Sequence, residues 1–144
     1  MSPEDLRTRV QRAFNEAFKG NVNALDEVAS QEILFHQPPR PDVKGLTAYK
    51  QAVQDMQKPF SDIQFTFDDF VIEGNKAACR WTFRASHTGP LRDMPIPPTG
   101  KRITMTGLTL VHLLDGKSVE EWEYVDMLGF MQQLGVAPPM GPSK

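Results

Sequence analysis

The sequence is poor in sulfur nucleophiles. Cys79 is the single cysteine in 144 residues, which excludes a disulfide framework within the chain and a metal knuckle of the Cys-x-x-Cys type. Long apolar runs are missing too. No stretch approaches the roughly 18 apolar residues of a membrane helix, and the opening MSPEDLRTRV lacks the hydrophobic segment of a secretory leader. Nor is there an excess of one charge: 16 Lys+Arg face 18 Asp+Glu, with a pI near 5.9. A nucleic-acid or anionic-membrane partner usually needs a basic face, so that class is disfavoured. Gly-rich phosphate loops and His-Glu-x-x-His helices are absent from the chain as well. These absences lead us to expect a cytoplasmic protein in a reducing compartment, with no nucleic-acid and no membrane partner.

What is present suits one domain over residues 1–144, with a core over about 3–135 and a loose tail from 136 to 144. A chain of this length buries enough surface for a core with a pocket in it. Ser2 and Pro3 are N-cap and first-turn residues, and Leu6, Val10, Ala13, Phe14, Ala17 and Phe18 then form one apolar helical stripe that Gly20 ends. NVNALDEVAS reads as a short second helix, and the prolines of EILFHQPPRPD keep that stretch extended. GLTAYKQAVQDMQKPF is a third helix, stopped near Pro59. After Ser61 the pattern alternates: DIQFTFDDFVIEGN, KAACRWTFRASH, ITMTGLTLVHLL and KSVEEWEYVD read as four strands, with turn signals at Gly74-Asn75 and Asp115-Gly116. MLGFMQQLG closes as a short helix. Helices first and a strand meander after them predict an α+β fold, helices covering one face of a curved sheet to make a cone with an apolar interior.

Strand alternation proposes which side chains look inward. In KAACRWTFRASH the apolar set is Ala77, Cys79, Trp81, Phe83 and Ala85, and His87 shares their parity. In EILFH, His36 shares parity with Leu34. In EEWEYVD, Asp126 follows Trp122 and Tyr124, which places Glu121 and Glu123 on a solvated or subunit-facing side. The predicted interior is therefore aromatic and aliphatic, with Asp126, His87 and His36 as its polar visitors. A few titratable groups in an apolar cavity are the usual look of a ligand site. Phe14, Phe18, Trp81 and Phe83, with Met105, Trp122 and Tyr124, are the candidate lining. Asp126 also stands directly before MLGFMQQL, where an aspartate is a favoured N-cap, so pocket acid and helix cap both remain open.

In their order and spacing, PFSDIQFTFDDFVIEGNKAACRWTFRASHTG, MPIPPTGKRITMTG and DGKSVEEWEYVDMLGFMQQLG resemble the SnoaL-like polyketide cyclases of the nuclear transport factor 2-like superfamily. The likeness spans roughly residues 59–135, and GLTAYKQAV and the helical N-terminus fit it. The resemblance implies a cone-shaped α+β barrel assembled as a homodimer or higher oligomer, without cofactor or metal. It implies general acid/base chemistry, an aldol-type cyclisation or isomerisation of a lipophilic polyketide-like substrate. The family's acid on the final strand is matched to Asp126, and His87 and His36 are matched to polar pocket positions. A hydrolase of the limonene epoxide type needs an acid two residues after an arginine, whereas Arg80 is followed by Trp81 and Thr82. Non-catalytic binding of a small molecule on the same fold is the competing reading.

Overall fold

The computed structural model describes residues 2–141. The first helix, α1 (Pro3–Ala17), starts where capping chemistry places it: the Ser2 hydroxyl accepts from the Asp5 amide at 3.1 Å. Its stripe turns Leu6, Ala13 and Ala17 into the core. NVNALDEVAS forms a 3₁₀ turn over Val22–Glu27 in place of an α-helix. Strand β1 (Ala29–His36) follows, then a two-residue strand β2 (Val43–Lys44) and helix α2 (Leu46–Gln57). The remainder is β3 (Phe60–Glu73), β4 (Lys76–His87), β5 (Arg102–Leu114), β6 (Lys117–Val125) and α3 (Met127–Gln133). The β5–β6 hairpin turns on Asp115 and Gly116, both at positive φ (52° and 77°), the conformation of a tight two-residue turn.

All six strands form one sheet in the order β2-β1-β6-β5-β4-β3. The meander β3–β6 is antiparallel, as its alternation predicts. Strand β1, however, joins it in parallel beside β6, with Phe35 opposite Glu121 and His36 opposite Trp122. The α+β class is as expected, and the sheet is mixed. Its inner face packs on α1 and α2, and that burial supplies most of the driving force for the fold. Two buried clusters result, one around Leu25, Ile33, Phe35 and Tyr49, the other around Phe67, Trp81, Phe83, Ile103 and Phe130.

Two polar side chains of α1 act on the outermost strand, β3. Gln11 accepts from the Phe67 amide at 2.9 Å and donates to the Phe65 carbonyl at 2.8 Å. Arg7 donates to the Phe67 carbonyl at 2.5 Å. The strand's register shifts between Phe67 and Asp69, so these bonds serve backbone groups at an irregularity in the ladder.

The observed parity corrects the placements in two strands. In β4 the inward set is the predicted one, with Ala77, Cys79, Trp81, Phe83, Ala85 and His87 all buried. In β1 the inward residues are Ile33 and Phe35, so Leu34 and His36 lie on the outer face. In β6 the inward residues are Glu121, Glu123 and Val125, and Trp122 and Tyr124 point away from the helices. The reason is cross-strand pairing: Leu110 and Leu108 stand opposite Trp122 and Tyr124, giving the outer face a greasy strip of its own.

Candidate active site

Between the inner face of the sheet and the helices lies a cavity with about 130 Å³ of free space. Helix α1 contributes Phe14 and Phe18 to its wall, β4 contributes Trp81 and Phe83, and β5 contributes Met105. These five were expected there. The aromatic wall is mutually braced: Phe18 meets Phe83 edge-on at 5.8 Å, and Phe65 lies 5.6 Å from Trp81. The Trp81 indole donates to Thr109 Oγ1 at 3.0 Å. Gly107, opposite Trp81 on β5, makes room for it, because a Cβ there would collide with the indole ring and with the Tyr124 carbonyl at 2.7 Å.

Against this apolar wall stand two acids, Glu121 and Glu123, two residues apart on β6 and therefore on one face. Each is met by a different element. Tyr49, from α2, donates its hydroxyl to Glu121 Oε1 at 3.1 Å. Gln37, in the loop after β1, donates to Glu123 Oε1 at 3.0 Å. The Gln37 carbonyl Oε1 accepts from Arg40 Nη1 at 3.0 Å, and Arg40 Nε donates to Asp93 Oδ2 at 2.5 Å. A backbone turn, Arg40 amide to Gln37 carbonyl at 2.9 Å, folds the arginine back over the glutamine.

Removal from water dominates the electrostatics. Burial pushes the Glu121 carboxyl above its ordinary range, and the Tyr49 hydroxyl partly opposes that. Burial, reinforced by the neighbouring charge of Glu121, pushes Glu123 up to about 7, while the Gln37 hydrogen bond and the Arg40 charge pull the other way. Burial likewise raises the Tyr49 hydroxyl well above its usual value and the Cys79 thiol to about 12. Cys79 is thus a protonated wall residue, not a nucleophile. Glu123 is the group poised to exchange a proton at neutral pH.

The structure places the remaining candidates elsewhere. Asp126 is exposed and accepts from the Gly129 amide at 2.9 Å, so the cap reading describes its position and the pocket reading does not. A Cβ at Gly129 would strike that carboxylate, so a side chain there would push the cap aside. His87 is fully buried but lies outside the cavity wall. Its Nδ1 accepts from the Thr99 amide at 3.2 Å and lies 3.0 Å from Thr99 Oγ1, which ties the proline-rich segment between β4 and β5 to the sheet. His36 is on the outer face, between Glu120 (2.7 Å) and Asp42 (2.8 Å), stacked on Trp122 with centroids 5.1 Å apart. Those two carboxylates, Glu120 first, raise its pKa. Trp122 and the 60% exposed Tyr124 share that outer face. The residues that sequence parity missed are Glu121, Glu123, Gln37, Arg40 and Tyr49. No signal within β6 marks the first two; only its parallel pairing with β1, where Phe35 stands opposite Glu121, shows their facing.

Among the described residues no group of three His, Cys, Asp or Glu side chains is arranged to hold a metal ion, and no helix is long and apolar enough to cross a membrane. A six-stranded curved sheet closed by N-terminal helices over an acid-bearing apolar hollow defines the nuclear transport factor 2-like architecture. Such a protein of Burkholderia pseudomallei superposes with a TM-score of 0.71 at 11% identity, covering 93% of this chain and 98% of that one. The profile of the SnoaL-like polyketide cyclases matches residues 8–134, and the chain belongs to that family. It is 29% identical over 140 residues to the aklanonic acid methyl ester cyclase DauD of Streptomyces sp. strain C5, covering 94% of this chain and 83% of the relative. The structure of TsrD from Streptomyces laurentii is 28% identical with a TM-score of 0.76, covering 90% of this chain and 97% of that one. Membership supports a function of the cyclase or isomerase type.

Proposed function

We propose that this protein closes a ring, by cofactor-independent aldol chemistry, in a lipophilic polyketide-like substrate, with Glu123 moving the proton. The observation that carries this reading is the Glu123 carboxyl, facing an aromatic cavity and pushed up to about 7. Near neutral pH such a group is present both as base and as acid, which favours proton transfer in both directions. The ionised form takes a proton from a carbon flanked by carbonyls. The enolate carbon attacks a second carbonyl of the same molecule and a C–C bond forms. The new alkoxide recovers the proton from the Glu123 acid, so the step is balanced without a co-reactant. The aromatic walls hold the flexible chain in its ring-closing pose, a contribution of about 7–11 kcal/mol in favourable cases. Aklanonic acid methyl ester, the compound in the name of the Streptomyces relative, is the first to try.

The test is turnover of that ester, followed by mass-resolved chromatography, in Glu123→Gln. The expected loss is roughly 10²–10⁴-fold with an unchanged circular dichroism spectrum. Unchanged turnover in a folded variant would show that Glu123 moves no proton.

We further propose a homodimer formed through the outer face of the sheet. Leu108, Leu110 and Tyr124 are 55%, 43% and 60% exposed there, and Leu114 and Val71 add to the apolar area. An apolar strip of this kind marks an association surface.

A further inference from the structure

We propose that Gln37 is a positioning residue: clamped by Arg40, and through it by Asp93, it fixes which oxygen of Glu123 carries the proton. The inference rests on Glu123 being the working acid and adds the device that orients it.

The argument is one of donors and acceptors. Arginine has only donors, so the oxygen of the Gln37 amide is the atom facing Arg40 Nη1 at 3.0 Å. That leaves the amide nitrogen to face Glu123, as observed, at 3.0 Å from Oε1. Oε1 must therefore accept, and it is held as an acceptor whether or not the carboxyl is protonated. When Glu123 takes up a proton, the proton resides on Oε2. Without Arg40 the amide could flip, present its own oxygen and accept a proton from Oε1. Asp93 in turn orients the guanidinium at 2.5 Å. It belongs to the proline-rich segment between β4 and β5, so a loop outside the cavity wall helps set the proton geometry inside it. The other titratable groups around Glu123 are Glu121 on β6, Tyr49 on α2 and Cys79 on β4. None of them bonds to Gln37 or Arg40 among the described residues.

The experiment is a double-mutant cycle read by titration, independent of turnover. The Glu123 carboxyl carbon is followed by ¹³C NMR in glutamate-labelled protein and assigned by its loss in Glu123→Gln. Gln37→Leu removes the donor to the ionised form, and Gln37→Ser does so without adding apolar bulk should the leucine variant fold poorly. The midpoint is expected to rise by about one pH unit, tenfold in proton affinity. Asp93→Asn, which does not touch Glu123, is expected to raise the midpoint in the wild-type background and to leave it unmoved in the Gln37→Leu background. An Asp93→Asn shift of equal size in both backgrounds means a through-space effect and overturns the clamp, as does a midpoint indifferent to Gln37. A wild-type midpoint near 4.5 would instead sink Glu123 as the raised acid, a failure distinct from that of the clamp.

Discussion

Glu123 is pulled in two directions, by burial and a like-charged neighbour upward, and by an amide donor and a guanidinium downward. The balance leaves a linkage that is visible in folding itself. Its native value, about 7, lies above the ordinary 4.5, so the native state holds the proton more tightly than the unfolded chain does. The associated stabilisation is complete below pH ~4.5 and is lost as the pH rises to about 7, a difference of roughly 3 kcal/mol. Glu123→Gln should therefore gain stability relative to wild type as urea unfolding midpoints are compared from pH 4.5 to 7.5. A constant offset across that range would mean that the carboxyl titrates normally. Asp126 behaves differently. It bonds one amide at a helix start, so Asp126→Ala should cost about 0.5–2 kcal/mol in urea unfolding and leave turnover of the folded protein intact.

At the scale of elements, the β5–β6 hairpin brings wall and acids together. Gly107 is its tightest point, because Trp81 occupies the space a side chain would need. Gly107→Ala should displace the indole from Thr109, lower stability by about 1–3 kcal/mol and shift the tryptophan fluorescence. Much of this architecture is legible in the sequence, since the turns are marked by Gly-Asn, Asp-Gly or proline and the helices α1 and α3 by their caps, Ser2 and Asp126. The facing of β4 is legible too, because only one of its sides is apolar. The facing of β6 is not. Trp122 and Tyr124 look like core, yet they complete an outer strip with Leu108 and Leu110, while two acids face inward. Hydrophobic parity fails where both faces of a strand make apolar contacts and acids face inward. The Gln37–Arg40–Asp93 chain depends on a bond between residues 53 positions apart, and no local spacing announces it.

For the molecule as a whole, the proposed dimer makes the outer face predictive. Leu108→Glu together with Leu110→Glu would set two charges into the strip and should convert a dimer to monomers in sedimentation velocity runs. A variant that sediments as wild type would move the association surface elsewhere.

The attention that α1 pays to the outermost strand bears on how this protein survives at high concentration. A sheet ends in a row of backbone groups that a stray chain can extend, the first step toward a fibril. Here Gln11 and Arg7 occupy both an amide and two carbonyls near Phe67. An intruding peptide would have to displace these side chains of the first helix before it could pair at Phe65 and Phe67, so the segment that roofs the hollow also stands sentry over that stretch of its border.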